Sequence, residues 1–430
     1  MIRLNLYHGM GLLAAFALVP LACVASPPDP SGDSVASTVH DCAVSESWDN
    51  SMNMCMPSAS SAGAHTLISG QFNVFGVYSF VQGPRGVDQF AAPDMLMLDV
   101  ARALTVRQLF NLDLMGTTEL WTYPRRGYPQ LLQIGEEHSD GQPFVDAQHP
   151  HSSPIMGLTL SDTVSLQSSA TLKLFLAPRG ESTDGPIPFM HRESARDDPD
   201  APLGHHVGQD VGHISSTVLG AQLDLGQVVV EASAFNGTEP NPTVVDLPLG
   251  PVNSAALRVT YAITAEQRLM ASVADVKQTD PEYPGTTSAT RVSASLYEHL
   301  RLAGFGSLDQ TLIVGSITRH PTDSALTSFL DEAVLQRGTS DFWGRVEVLQ
   351  RLASELEIPA SPLPESAVKH WVSALTLGYT HWSSPYRNLQ IGLGSSLTVD
   401  VVPTDWAGEY GSRTPLTMRL IIQVRGSGHR

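Results

Sequence analysis

Seven of the chain's fifteen histidines, His138, His149, His151, His191, His205, His206 and His213, fall within 76 residues, where even spacing would place between two and three. Imidazole is a ready ligand for transition metals, and carboxylates stand close by in the sequence. His149, His151, His205, His206 and His213 with Asp146 or Asp210 make a donor set typical of Zn, Cu or Ni. The same stretch also has a purely structural use. Pro-flanked histidines, and Arg192 and Arg196 pairing Asp197, Asp198 or Asp200, can tie two long loops into a larger scaffold by hydrogen bonds.

A second group of donors lies near the start. His40, Cys42, Met52, Met54, Cys55 and Met56 bring soft sulfur and imidazole into a short span, the ligand set suited to Cu(I). Cys42 and Cys55 are also an even pair, able to form a disulfide in an oxidising compartment. His381 and Ser383 set an imidazole two residues from a hydroxyl, as a lipid-hydrolysing barrel would need. No G-x-S-x-G, H-E-x-x-H or phosphate-binding glycine loop accompanies them, so no catalytic residue is assigned.

The elements that must position these groups are strands. Phe72, Val74, Tyr78 and Phe80 share one face of residues 71–80, opposite Gln71, Asn73 and Ser79. Leu257, Val259, Tyr261 and Ile263 oppose Arg258 and Thr260; Met418, Leu420, Ile422 and Val424 oppose Arg419, Gln423 and Arg425. About 14–16 such segments follow residue 66, with turn signals such as Asn236-Gly237 and Gly226. Residues 325–335 also fit a helical face, as do Val346, Leu349, Leu352 and Leu356; the spacing predicts a strand over 342–350. Strands with one apolar and one wet face fit two stacked sheets, or a closed barrel whose apolar face meets lipid and whose polar face, with Arg258 and Arg419, meets the lumen. No linker divides the body, which favours the barrel.

Composition agrees. Lys+Arg 25 against Asp+Glu 43, a formal charge of −18, excludes a nucleic-acid binder. Residues 1–25 read as a signal peptide, with Arg3 before the apolar run 10–22; Cys23 allows a lipoprotein form. Residues 26–65 read as a flexible leader, and 66–430 as an all-β domain: a closed antiparallel transmembrane β-barrel with two long motif-bearing loops.

Those loops carry RRGYP (Arg125, Arg126, Gly127, Tyr128, Pro129), a D-x-Q-H-P-H block with Gln148 at its centre, F-M-H-R (Phe189, Met190, His191, Arg192), D-x-P-x-A-P-x-x-H-H over 197–206 and E-x-S-A-F-x-G-x-E-P over 231–240. On these motifs the chain resembles a family of exported bacterial outer-membrane β-barrel proteins without established activity, most closely across 121–240. The resemblance implies an outer-membrane location and an association with copper or other heavy metals. Val207 and Ser152 depart from the family pattern, which has an aromatic and an acid there. The expected protein is a monomeric outer-membrane barrel in Gram-negative lipid, inserted by the barrel-assembly machinery. It acts as a pore or passive surface component with a role in heavy-metal handling, Cu or Zn being the candidate ions. The alternatives are a barrel enzyme acting on lipid and a periplasmic metal-binding β protein.

Overall fold

The computed structural model describes residues 46–49, 54–57 and 66–429, apart from 139, 152–153, 168–169, 211, 248, 278–285, 322–323 and 360–367. Residues 1–25, where a signal peptide and a lipidated Cys23 are expected, lie outside the described residues. A short hairpin, β1 (Glu46–Asp49) and β2 (Met54–Pro57), comes first. The wall opens with β3 (Thr66–Val81), a stave interrupted into β4 (Gln89–Ala91) and β5 (Asp94–Thr105), and β6 (Gln108–Gly116). An inserted hairpin follows, β7 (Tyr128–Glu137) and β8 (Pro143–Gln148). The wall resumes with β9 (Ile155–Gln167), β10 (Ala170–Gly180), β11 (Ser215–Asp224), β12 (Val228–Asn236), β13 (Ser254–Ala262) and β14 (Gln267–Lys277). It ends with β15 (Ser288–Leu302), β16 (Gly306–His320), β17 (Ser324–Arg337), β18 (Ser340–Leu352), β19 (Lys369–Trp382), β20 (Leu389–Val401) and β21 (Leu416–His429).

Every neighbouring pair is antiparallel, β9 bridges β6 to β10, and β21 pairs β3 from Thr417↔Val81 to His429↔Ser69, so the sheet closes. With β4 and β5 counted as one, β3, β4/β5, β6 and the thirteen strands β9 to β21 give sixteen staves. Closure leaves no edge, so the ladder satisfies the backbone without water. The two stretches that also fitted a helix are β17 and β18. Asn236-Gly237, expected at a tight hairpin, instead opens the long connection 237–253. Glycine is needed there because a side chain would strike the Lys277 carbonyl oxygen.

The wall is inside out relative to a soluble protein. Leu174, Leu219, Leu393 and Ile422 are 53%, 53%, 60% and 54% exposed, whereas Arg419, Arg345 and Arg351 are at 1%, 2% and 0%. An apolar surface running round a whole barrel far exceeds the few hundred Å² a soluble monomer tolerates. Aromatics sit at both ends of it: Phe342 against Tyr379 (centroids 5.2 Å apart) near one rim, Phe329 against Trp371 (6.2 Å) toward the other. Trp371 and Tyr379, eight residues apart on β19, are separated by about 27 Å along the strand at ~3.4 Å per residue, or roughly 20 Å of height after a ~40° tilt. That matches the apolar band of outer-membrane barrels.

One rim carries the tight turns, such as the one at Gly226 (φ +86°). From the other rim enter two insertions, residues 117–154 between β6 and β9 and 181–214 between β10 and β11. Almost every described residue of the second is buried, and its bonds reach widely separated staves. Thr183 N–H donates to Ser233 Oγ on β12 (2.9 Å), Ile187 N–H to Tyr297 OH on β15 (2.9 Å), and Leu203 N–H to Glu347 Oε1 on β18 (2.5 Å). The lumen is therefore crossed by protein and has an apolar core of its own, where Leu131, Leu132, Ile134 and Leu203 pack on Val81, Leu349 and Val372 of the wall.

Candidate metal centre in the barrel lumen

Ion pairs between insertions and wall fix the site. The inward positions of a period-two strand place Glu332 and Arg345 in the lumen. Arg192 forms a two-point bond to Glu332 (2.5 and 3.2 Å), which also accepts from Arg345 Nε (3.0 Å) and Ser194 Oγ (3.0 Å). Arg196 meets Asp341 at 2.9 Å and Glu193 at 3.1 Å. The expected partners of Arg192 are thus corrected: Asp198 and Asp200 are taken by wall arginines, Arg345 (3.2 Å) and Arg419 (2.9 Å), and Asp197 lies between Arg425 of the wall (3.6 Å) and Arg196 (3.8 Å).

The motif residues of the first insertion join the same lattice. Tyr128 donates to Asp200 (2.6 Å) and accepts from Arg419 Nε (2.5 Å), and the Pro129 carbonyl accepts from Arg419 (2.8 Å). Gly127 turns at φ +84°, where a Cβ would lie 2.6 Å from the Gln148 carbonyl oxygen. Gln148 Oε1 accepts from Ala201 N–H at 2.9 Å, joining the two insertions. Arg125 pairs Asp140 at the exposed surface (3.1 Å), Arg126 is exposed, and His191 Nε2 lies 3.1 Å from Glu181.

Held this way, the two insertions bring five histidines together. Donor atoms of His149, His205 and His206 all lie within 4.8 Å of one another, as do those of His205, Asp210 and His213. His205 belongs to both triads. His151 adjoins them, its ring centroid 5.3 Å from that of His213. Asp146 is elsewhere, against expectation: its carboxylate accepts from Arg85 Nε (2.5 Å), Leu132 N–H (2.7 Å) and Tyr410 OH (3.0 Å), and so serves to fix β7 to the wall. His138 stacks on Phe144 outside the cluster.

Second bonds set the tautomers. His149 Nδ1 meets the Pro150 carbonyl at 2.9 Å, His213 Nδ1 the Asp210 carbonyl at 2.6 Å, and His151 Nδ1 the Glu119 carboxylate at 2.6 Å. Tying Nδ1 assigns metal ligation to Nε2, as in carboxylate–histidine–metal arrangements. Glu119, in the short helix Glu119–Thr122, gave no signal in the sequence because its partner lies 32 residues away. Burial, reinforced by neighbouring imidazoles, holds His149 and His206 well below the ordinary histidine range. Burial also takes His213 to about 4, although Asp210 opposes it. Burial lowers His151 too, but the Glu119 carboxylate outweighs it and the net shift is upward. Asp210 is disfavoured as an anion by burial, yet His213 and His205 bring it below the usual carboxylate range. Neutral imidazoles beside a carboxylate are the protonation states that a metal needs.

Among the described residues, five buried donor atoms here have no hydrogen-bond partner: His205 Nδ1, both ring nitrogens of His206, His213 Nε2 and Asp210 Oδ1, with Asp210 3.6 Å from His205 and His213 and Glu239 4.0 Å from His206. Each such orphan costs about 1–3 kcal/mol, so their concentration in one place fits a site built for a cation. His205 and His206 sit on a wide π-helical turn, His205–Gln209, which is bent at Gly208 (φ +75°) and pressed on Gly315 of β16. A Cβ at Gly315 would overlap the Val207 carbonyl oxygen. Gly315→Ala is expected to push this turn off the wall at a cost of about 1–3 kcal/mol, lowering Co(II) affinity by about tenfold or more without altering barrel mobility on gels.

The hydroxyl and imidazole weighed for catalysis do not join the cluster. His381 and Ser383 are exposed on the outside, and Ser383 Oγ accepts from Ile391 N–H at 3.0 Å. His40, Cys42 and Met52 lie outside the described residues, as do the side chains of Met54, Cys55 and Met56, whose backbone forms β2.

No family model matches the chain, and no curated protein does. Among solved structures it is similar to in-vitro folded OmpT, an outer membrane protein of Vibrio cholerae, with a TM-score of 0.50 at 7% identity over 87% of this chain and 99% of that one. It is similar also to OmpF of Salmonella typhi in complex with daunomycin, with a TM-score of 0.50 at 8% identity over 85% and 98%. At these identities the likeness is one of fold, and the fold is a closed antiparallel barrel of the porin kind.

Proposed function

We propose that this chain is an outer-membrane barrel, exported through residues 1–25, inserted by the barrel-assembly machinery and monomeric in lipid, whose two insertions close the lumen around a bound transition-metal ion. The membrane reading is supported by the apolar outer surface and its two aromatic belts. The observation that carries the metal reading is the pair of buried triads sharing His205, with their orphaned nitrogens. Zn, Cu(II) and Ni fit three imidazoles, or two with a carboxylate. In this reading the ion pairs that tie the insertions to the wall and the histidines that bind metal belong to one device: the lattice keeps the rings preorganised. Metal handling, of copper among other ions, then follows from the site itself and not from an open pore.

The protein is expected to fractionate with the outer membrane, to show heat-modifiable mobility, and to carry or take up about one equivalent of Zn(II) or Co(II). Metal content indistinguishable from that of a protein with His205 and His206 both replaced by Ala would remove the metal reading. A chain that stays in the periplasmic fraction would remove the location.

A further inference from the structure

Five of the seven methionines beyond residue 66, all but Met270 and Met418, gather in one place inside the wall. Met97 on β5 pairs across the ladder with Met115 on β6, Met156 follows on β9, and Met95 and Met190 pack against them. On β5 the alternation sorts the types: Leu96 and Leu98 face outward and are exposed, while Met95 and Met97 face inward. A lumen-facing surface that needed only bulk would be served by leucine, which is used freely on the outside. Thioether differs by offering a soft donor.

The cluster is buried but borders open space on two sides. Met97 and Met115 line an opening that reaches Glu181 and Thr183. Met95 and Met190 line another together with His151 and Glu119. Ile214, next to His213, packs on the same methionines. The Met97 sulfur accepts from Gln71 Nε2 at 3.5 Å, so it faces polar lumen groups and not lipid.

We infer that these methionines form a second site, for a soft monovalent d¹⁰ cation, that adjoins the histidine centre on its His151 side and is separate from it. Thioethers carry no charge and shed no proton on binding, and as soft donors they favour such an ion over Zn(II) and Mg(II). The thioether site does not rest on the histidine-centre reading.

The test uses the full-length protein in detergent micelles, with Ag(I) as redox-inert probe and Co(II) as probe of the histidines. Met95, Met97, Met115 and Met190 replaced together by Leu keep volume nearly constant. Ag(I) affinity is expected to fall by at least the ~10–100-fold that disturbing a metal's surroundings produces, with Co(II) binding unchanged. X-ray absorption of the Ag(I)-loaded wild type, which needs no variant, should show sulfur neighbours. Ag(I) bound with unchanged affinity by the leucine variant, or with only nitrogen and oxygen neighbours, would overturn the site. Failure of the histidine reading looks different: Co(II) is not bound, yet Ag(I) still depends on the methionines.

Discussion

His205→Ala is expected to abolish stoichiometric binding of Zn(II) or Co(II), because that ring is the one donor common to both triads. Losing an outer-shell partner already costs about 10–100-fold in affinity, and losing a shared ligand should exceed this. Co(II) gives the readout: the ligand-field bands of a nitrogen-bound ion should be absent in the variant and present in the wild type. His381→Ala is the control, since that imidazole is exposed on the outside of the wall and its loss should leave those bands intact. Equal spectra for His205→Ala and wild type would place the metal elsewhere.

Glu332→Ala should convert a closed barrel into a conducting one. Among the described residues, Glu332 is the one carboxylate that pairs with both Arg192 of the insertion and Arg345 of the wall, and all three are buried. Removing one member of a buried ion cluster costs about 3–5 kcal/mol through the charges left behind, which moves a docking equilibrium by about two to three and a half powers of ten. In planar bilayers the wild type is expected to stay silent, and the variant to open in flickering steps as residues 181–214 leave the wall. Silence of both proteins would show that other contacts hold the insertion.

Most of the barrel could be read from the sequence, since the side-chain period of two reports directly on which face meets lipid. Residues 257–263 and 418–424 lie as the alternation required, Arg258 and Arg419 inward. The histidine-rich stretches pointed to His149, His205, His206, Asp210 and His213 through type and density alone. Asp146 was misread because a carboxylate's partner is a matter of tertiary distance: Arg85 and Tyr410 lie 61 and 264 residues away. Glu332 was hidden for the same reason, 140 residues from Arg192. The methionines were legible in principle, as Met95 and Met97 alternate with Leu96 and Leu98 on one strand. What the strand pattern does not encode is whether a lumen holds water or protein, because a polar inner face suits either.

The amide of Gln423 on the last stave donates both to Asn73 Oδ1 on the first (2.8 Å) and to the Arg196 carbonyl of the insertion (2.9 Å). The seam of the cylinder and its stopper are therefore latched by the same side chain. The stopper emerges early in the chain and can meet β12, β15, β17 and β18 as they form, but this latch waits for the final strand, so the last step of closing the cylinder also completes the fastening of what fills it.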